Sequence, residues 1–261
     1  MNSSRYLNQS ILRSLQVLES FAGPHTVLSI SDIARRIGLH RSTVHRLVLT
    51  LESVGWLRKI PDTEKYTLGI KVAILGQFAQ HEMSSCQALR PLLNDLAAET
   101  GETAILSMFD GNNVLCVDKI ESSHRLKISS EIGQHFPFYA GATGFAVLLG
   151  MPEGEVQSLL FRQPLTAFTE KTETVPEKVL ERYRTLKQAG YVVSTGAVDP
   201  GITGVAAPLF FFKENVYGSV GVTMPEHRAK GDGFQGIVQK VLRTAEAMSK
   251  MIGVSQGGER R

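Results

Sequence analysis

The sequence predicts an α+β protein in two parts, and three observations carry that prediction. The stretch "IARRIGLHRSTVHRLVLTL", Ile33 to Leu51, holds two helical apolar patterns broken at Gly38. Two β-prone runs follow, Trp56–Ile60 and Lys65–Leu68, separated by the turn-forming Pro61-Asp62-Thr63-Glu64. From about Cys86 onward, helical and strand-like patterns are mixed. A length of 261 residues suits about two domains.

The elements of the first part follow from spacing. Ile11, Leu12, Leu15, Val17, Leu18 and Phe21 mark an amphipathic helix that ends at Gly23-Pro24. Ser29 or Ser31 can cap a second helix, Ser29 with Asp32 having the capping-box spacing, and the apolar side of that helix is Ile30, Ile33 and Ile37. Gly38 ends that helix, because glycine tolerates the positive φ of a helix C-terminus. A third helix covers Arg41–Ser53, and the two β-prone runs form a hairpin. Ile70 to Glu82 reads as a helix connecting the two parts, with Val72, Leu75, Phe78 and Ala79 as its apolar side.

In the second part Ala88–Thr100 is helical. Ala104–Phe109 and Asn113–Lys119 are apolar runs joined by the hairpin signal Asp110-Gly111-Asn112. Leu126–Ser129 is expected to be a strand. Ala142–Leu149 and Pro176–Gln188 read as helices, Tyr191–Ser194, Val205–Phe211 and Tyr217–Thr223 as strands, and Phe234–Ile252 as a closing helix. The tail "SQGGERR" is expected to be disordered. The expected boundaries are 1–70, a connecting helix 71–85, a second domain 86–253 and the tail 254–261.

Charge divides unevenly along the chain. Residues 1–70 hold nine Lys/Arg and five Asp/Glu, whereas residues 71–261 hold nineteen and twenty. The positive excess lies wholly in the first part, which points to a polyanion partner there. No apolar run approaches the roughly 18 residues of a membrane-spanning helix, and "MNSSRYLNQS" lacks a signal-peptide core. A cytoplasmic location without membrane association is therefore expected. Cys86 and Cys116 make neither a disulfide framework nor a zinc pattern, the histidines have no metal spacing, and no metal or cofactor is expected. Catalysis is not expected either: there is no nucleophile elbow, no defined carboxylate pair and no phosphate loop, and "GATGFA" lacks the dinucleotide fingerprint.

In the third helix Val44, Leu47, Val48 and Leu51 form a stripe at i, i+3, i+4, i+7. Burying each is worth about 1.5–3 kcal/mol, so the stripe decides which way the helix faces. Arg41, Ser42, Thr43, His45, Arg46 and Thr50 are left outward, and such side chains read base edges and phosphates. Helix, turn, helix and basic hairpin together have the arrangement of a winged helix-turn-helix, whose second helix enters the major groove of double-stranded DNA. Expected DNA contacts are Arg35, Arg36, Arg41, Ser42, Thr43, His45 and Arg46, with Lys59 and Lys65 on the wing. The rival reading is a protein-interaction module whose basic face meets an acidic partner.

"ISDIARRIGLHRSTVHRLVLTLESVGW" with "DTEKYTLGIKVAILG" resembles the DNA-binding domain of the IclR family of bacterial transcription regulators. The resemblance continues through "AAETGETAILSMFDGNNVLCVDKIES", "IGQHFPFYAGATGFAVLLG", "PLTAFTEKT", "LKQAGYVVS" and "GVAAPLFF", nearly the whole chain. It implies an operator-binding homodimer or homotetramer with a GAF-like C-terminal domain that binds a small carboxylate effector. Carried over by motif, the effector positions are Ala142 and Thr143 at a helix start, then Ser194, Gly204, Gly221 and Thr223, with Leu126, Ile128 and Phe136 as apolar walls. Ser194, Gly204 and Gly221 stand where members that bind small oxo-acids commonly have Asp, Cys and Ser. Either the lost bulk widens the pocket for a larger, even aromatic, acid, or the two glycines mark close backbone approach in strands.

Overall fold

The computed structural model describes residues 7–22, 26–82, 84–128, 130–162, 164–211, 216–231 and 233–254. Gly23-Pro24 and the tail after Val254 lie outside the described residues. The chain divides into two compact units, Met1–Ser84 and Ser85–Arg261.

The first unit runs α1 (Gln9–Glu19), β1 (Leu28–Ser29), α2 (Ile30–Ile37), α3 (Arg41–Ser53), β2 (Leu57–Lys59), β3 (Lys65–Leu68) and α4 (Ile70–Glu82). Asn8 starts α1 by accepting hydrogen bonds from the amides of Ser10 and Ile11. The capping box of α2 is complete: Ser29 Oγ accepts from the Asp32 amide, and the Asp32 carboxylate accepts from the Ser29 amide at 3.1 Å. Gly38 closes α2 at φ 66°, in the left-handed region. The strands pair antiparallel in the order β1-β3-β2, so the hairpin gains an edge partner that the sequence reading did not foresee. The core gathers Val17, Phe21, Ile33, Val44, Val48, Leu51, Leu57 and Tyr66.

The second unit contains α5 (Ser84–Thr100), β4 (Thr103–Phe109), β5 (Val114–Ile120), β6 (His135–Phe136), α6 (Ala142–Gly150), α7 (Glu153–Leu160), α8 (Pro176–Ala189), β7 (Val192–Thr195), β8 (Ile202–Phe211), β9 (Val216–Pro225) and α9 (Phe234–Val254). Its strands form one antiparallel sheet in the order β6-β5-β4-β9-β8-β7. Side-chain alternation gives the sheet two apolar faces. Leu106, Val205, Ala207, Val220 and Val222 meet Leu89 and Leu93 of α5 and Val241 and Met248 of α9. The opposite face is covered by α6, with Val156 of α7 and Val179 and Tyr183 of α8 in the same core. Buried from Ala142 to Leu149, α6 is apolar on every side, as a helix sandwiched between layers must be.

One expected element is absent. The segment at Leu126 is not a strand: residues 123–126 bend, 127 and 128 carry no regular structure, and Ser129 lies outside the described residues. β6 pairs with β5 instead, through Val114–Phe136 and Leu115–His135. Two residues of strand leave no periodicity to read in a sequence.

Candidate DNA interface and ligand cavity

α3 turns its two sides to different surroundings. Val44 and Val48 are fully buried and Leu51 nearly so, with Leu47 half-buried against the same core. Arg41, Ser42, His45, Arg46 and Thr50 are exposed, and Thr43 is half-buried. The helix begins with an unusual cap: His40 Nδ1 accepts from the Ser42 amide at 3.4 Å and lies 2.8 Å from Ser42 Oγ. Ser42, Thr43 and Arg46 also line an open cleft of about 670 Å³ beside Ser10, Arg13 and Ser14 of α1, with Ile11, Leu15 and Trp56 as its apolar part.

The other expected DNA contacts differ in their freedom. Arg35 is exposed and pairs loosely with Asp32 at 3.4 Å. Arg36 donates to the Ser20 carbonyl at 2.7 Å, tying α2 to the end of α1. On the wing Lys59 is held by Glu64 at 2.9 Å, which raises the amine's pKa and lowers the carboxyl's. Lys65 is exposed beside it in the sheet.

In the second unit a cavity of about 310 Å³ opens at the start of α6. Of the expected effector positions, Ile128, Phe136, Ala142, Thr143, Ser194, Gly204 and Thr223 line it. The first turn of α6 enters from Gly141 at φ 72° with no side-chain cap, so amide donors and the positive helix end face this region. Thr223 Oγ1 is buried without a hydrogen-bond partner. An unpaired buried hydroxyl costs about 1–3 kcal/mol, which favours a polar guest.

Two expected positions are corrected. Leu126 does not line the cavity: its side chain is 62% exposed, and its carbonyl is held by Arg228 instead. Gly221 does not line it either. A Cβ there would stand 2.4 Å from the Val205 carbonyl oxygen and 2.6 Å from Ala206 Cβ, so this glycine permits two strands to approach. Gly204 does border the cavity, but a Cβ on it would meet Ala142 Cβ at 2.9 Å. Its bareness lets β8 lie against the start of α6 rather than leaving an empty slot. Loss of an acid at Ser194 does not empty the site of acids, since the exposed Asp199 is on the lining.

Comparison with known proteins places this geometry. Residues 77–250 match the description "Bacterial transcriptional regulator IclR C-terminal", and residues 10–61 match "IclR helix-turn-helix domain". The chain belongs to the IclR family. It is a DNA-binding transcriptional regulator, as its IclR relatives are. It is 28% identical over 246 residues to the HTH-type transcriptional regulator KipR of Bacillus subtilis, covering 94% of this chain and 98% of that one. To the transcriptional repressor IclR of Escherichia coli it is 25% identical over 247 residues, covering 94% and 90%. Among solved structures, an IclR regulator from Alicyclobacillus acidocaldarius superposes with a TM-score of 0.78 at 25% identity, covering 95% and 100%. An IclR homologue from Microbacterium hydrocarbonoxydans, solved with 4-hydroxybenzoate, shares the fold at TM-score 0.77 and 23% identity, covering 94% and 100%.

Within this IclR chain the sequence reading missed several cavity residues: Lys127, Ser130, Gln134, Ala197, Val198, Asp199 and Ile202. Most lie in irregular segments, where no periodicity marks which side chains converge. Gln134 sits inside the quoted run "IGQHFPFYAGATGF", and the turn "VDPG" around Asp199 was the other available signal. Among the described residues no cluster of His, Cys, Asp and Glu could hold a metal ion, and no helix is long and apolar enough to cross a membrane.

Proposed function

We propose that this regulator reads a paired operator site with α3 and that a small organic acid in the α6 cavity changes its grip on that site. The carrying observation is the two-sided α3: Val44 and Val48 are fixed in the core while Arg41, His45 and Arg46 project from it. Within this reading Arg41, Ser42, Thr43, His45 and Arg46 meet bases and phosphates in the major groove. Arg35 and Lys65 reach phosphates. Arg36 and Lys59 contribute less, because each is held more closely, at 2.7 and 2.9 Å, than Arg35 is at 3.4 Å. The reading places the chain in the cytoplasm and gives it no catalytic step.

The ligand reading rests on the cavity. Its uncapped helix start suits a carboxylate, Thr223 Oγ1 lacks a partner, and about 310 Å³ is a volume for more than a two- or three-carbon acid. The 4-hydroxybenzoate held by one structural neighbour supports an aromatic acid as the class to try first. Ile128, Phe136, Ala142, Thr143, Ser194, Gly204 and Thr223 are the residues we assign to it.

Dimerisation completes the reading, since one small winged helix contacts too few bases to select a site. Exposed apolar side chains on α1 (Ile11, Leu15) and α4 (Ile70, Ile74, Leu75, Phe78) offer the surface for it. The test is fluorescence anisotropy on the DNA upstream of the regulator's own gene, at two salt concentrations, with and without 4-hydroxybenzoate, benzoate and pyruvate. The reading expects salt-dependent, saturable binding of that DNA, altered about 5- to 150-fold by an aromatic acid and little by pyruvate. Binding of acidic protein but of no DNA would instead favour the interaction-module reading.

A further inference from the structure

The segment 122–128 carries no helix or strand, yet two of its carbonyls are tied down. Arg228, in the short turn after β9, donates Nη1 and Nη2 to the Leu126 carbonyl, both at 3.2 Å. The same guanidinium grips both oxygens of Glu102, Nε to Oε1 at 2.6 Å and Nη2 to Oε2 at 2.7 Å. The Glu102 side chain is only 3% exposed. Next to it Thr103 Oγ1 donates to the Ile128 carbonyl at 3.1 Å. The strap so held ends in Lys127 and Ile128, which form part of the cavity wall.

The chemistry of the pair explains its form. A buried carboxylate needs a charged partner. Arginine supplies a planar fork that can hold both carboxylate oxygens and still present donors to a carbonyl on its other edge. A lysine, with three donors radiating from one nitrogen, neutralises Glu102 without spanning to Leu126. The ion pair thus does two tasks, and the second is to fix a backbone that has no ladder of its own.

We propose that Arg228 and Glu102, with Thr103, are positioning residues for the cavity: they clamp the 122–128 strap so that Lys127 and Ile128 stand as its wall. This rests on the reading of the cavity as the effector site. The test is hydrogen exchange read by mass spectrometry on the full chain, comparing wild type with Arg228→Lys, Glu102→Gln and Thr103→Val. The Ser122 and His124 amides, which donate to Thr103 Oγ1 and Ser122 Oγ, are expected to exchange at least about tenfold faster in Arg228→Lys and Glu102→Gln, with β8, β9 and the winged-helix unit unchanged. Unchanged exchange in the strap overturns the clamp, as does equal acceleration throughout β4 and β9, which would make the pair a support of the sheet. Arg228→Lys keeps a cation beside Glu102 and decides the matter if Glu102→Gln fails to fold, while Thr103→Val, which removes the acceptor of the Ser122 amide, marks full release. A second arm titrates 4-hydroxybenzoate by calorimetry, where Arg228→Lys is expected to weaken binding about tenfold. A loosened strap with wild-type affinity overturns the positioning role. A wild-type chain that binds no acid counts against the effector cavity instead, and the exchange arm still decides the clamp.

Discussion

Arg41 and Arg46 are the two exposed guanidiniums of α3, and neither has an acidic partner among the described residues. If Arg41→Ala or Arg46→Ala removes a guanine contact, operator binding weakens by about 1–3 kcal/mol with relaxed preference at one base pair. If the contact is to phosphate, affinity falls evenly across sequences and the salt dependence becomes shallower. Unchanged affinity in the double variant would falsify the proposed docking. Asp32 gives a pH-dependent prediction of its own. Hydrogen bonds from the Ser29 side chain and amide hold its carboxyl below the ordinary aspartate value. A depressed folded pKa means that the capping box contributes fully above the ordinary value and is lost as pH falls through the lowered one. Trp56, the chain's single tryptophan, packs against the core of this unit and reports its unfolding. Asp32→Asn is expected to flatten the acid limb of the urea midpoint followed by Trp56 fluorescence. Ser29→Ala should lower stability by about 1 kcal/mol near neutral pH; a pH profile identical to wild type in both variants would remove the box from the account.

At the scale of elements, close approach matters more than empty space. β8 and β9 lie so near at Gly221 that an added methyl strikes backbone on the neighbouring strand, whereas at Gly204 it strikes the single methyl of Ala142 on α6. Gly221→Ala is therefore expected to destabilise the second unit by about 1–3 kcal/mol, and Gly204→Ala by less, as measured by urea denaturation under circular dichroism. Equal midpoints for Gly221→Ala and wild type would show that the strands can part without cost. α4 tells the complementary story. Val72, Leu75, Phe78 and Ala79 are its expected apolar side, yet Phe78 is 68% exposed and Leu75 50% exposed. These are the side chains that the proposed dimer would bury.

For the whole molecule the expected consequence is assembly coupled to ligand. Phe78→Ser with Leu75→Ser should shift the full chain toward monomer in light scattering and lower operator affinity more than either arginine change, because losing one half-site contact disables both. A dimer that survives both changes would move the interface elsewhere. Any acid that changes operator affinity must have its own affinity changed by DNA to the same factor, since coupling between sites is reciprocal. Calorimetry of 4-hydroxybenzoate with and without operator DNA checks that equality.

Local chemistry was legible in the chain alone. Ser29 and Asp32 announced a capping box, Gly38 a left-handed helix end, and the Val44–Leu51 stripe the orientation of α3, because each depends on residues within a turn or two of one another. The helix α6 is legible in its own pattern, but the expected ligand positions at its start come through resemblance to the family rather than through periodicity. What the tertiary structure alone decided is how distant segments meet. It tied Leu126 outward through Arg228, 102 residues away. It engaged Arg36 with the Ser20 carbonyl, 16 residues away, tying down a charge that the sequence showed as free. It also set Gly204 and Gly221 against Ala142 and Val205, turning glycines that could have meant a wide pocket into points of contact. A sequence pattern records which side of an element is apolar; which atoms cross the gap to another element depends on packing, and no repeat within either segment encodes that.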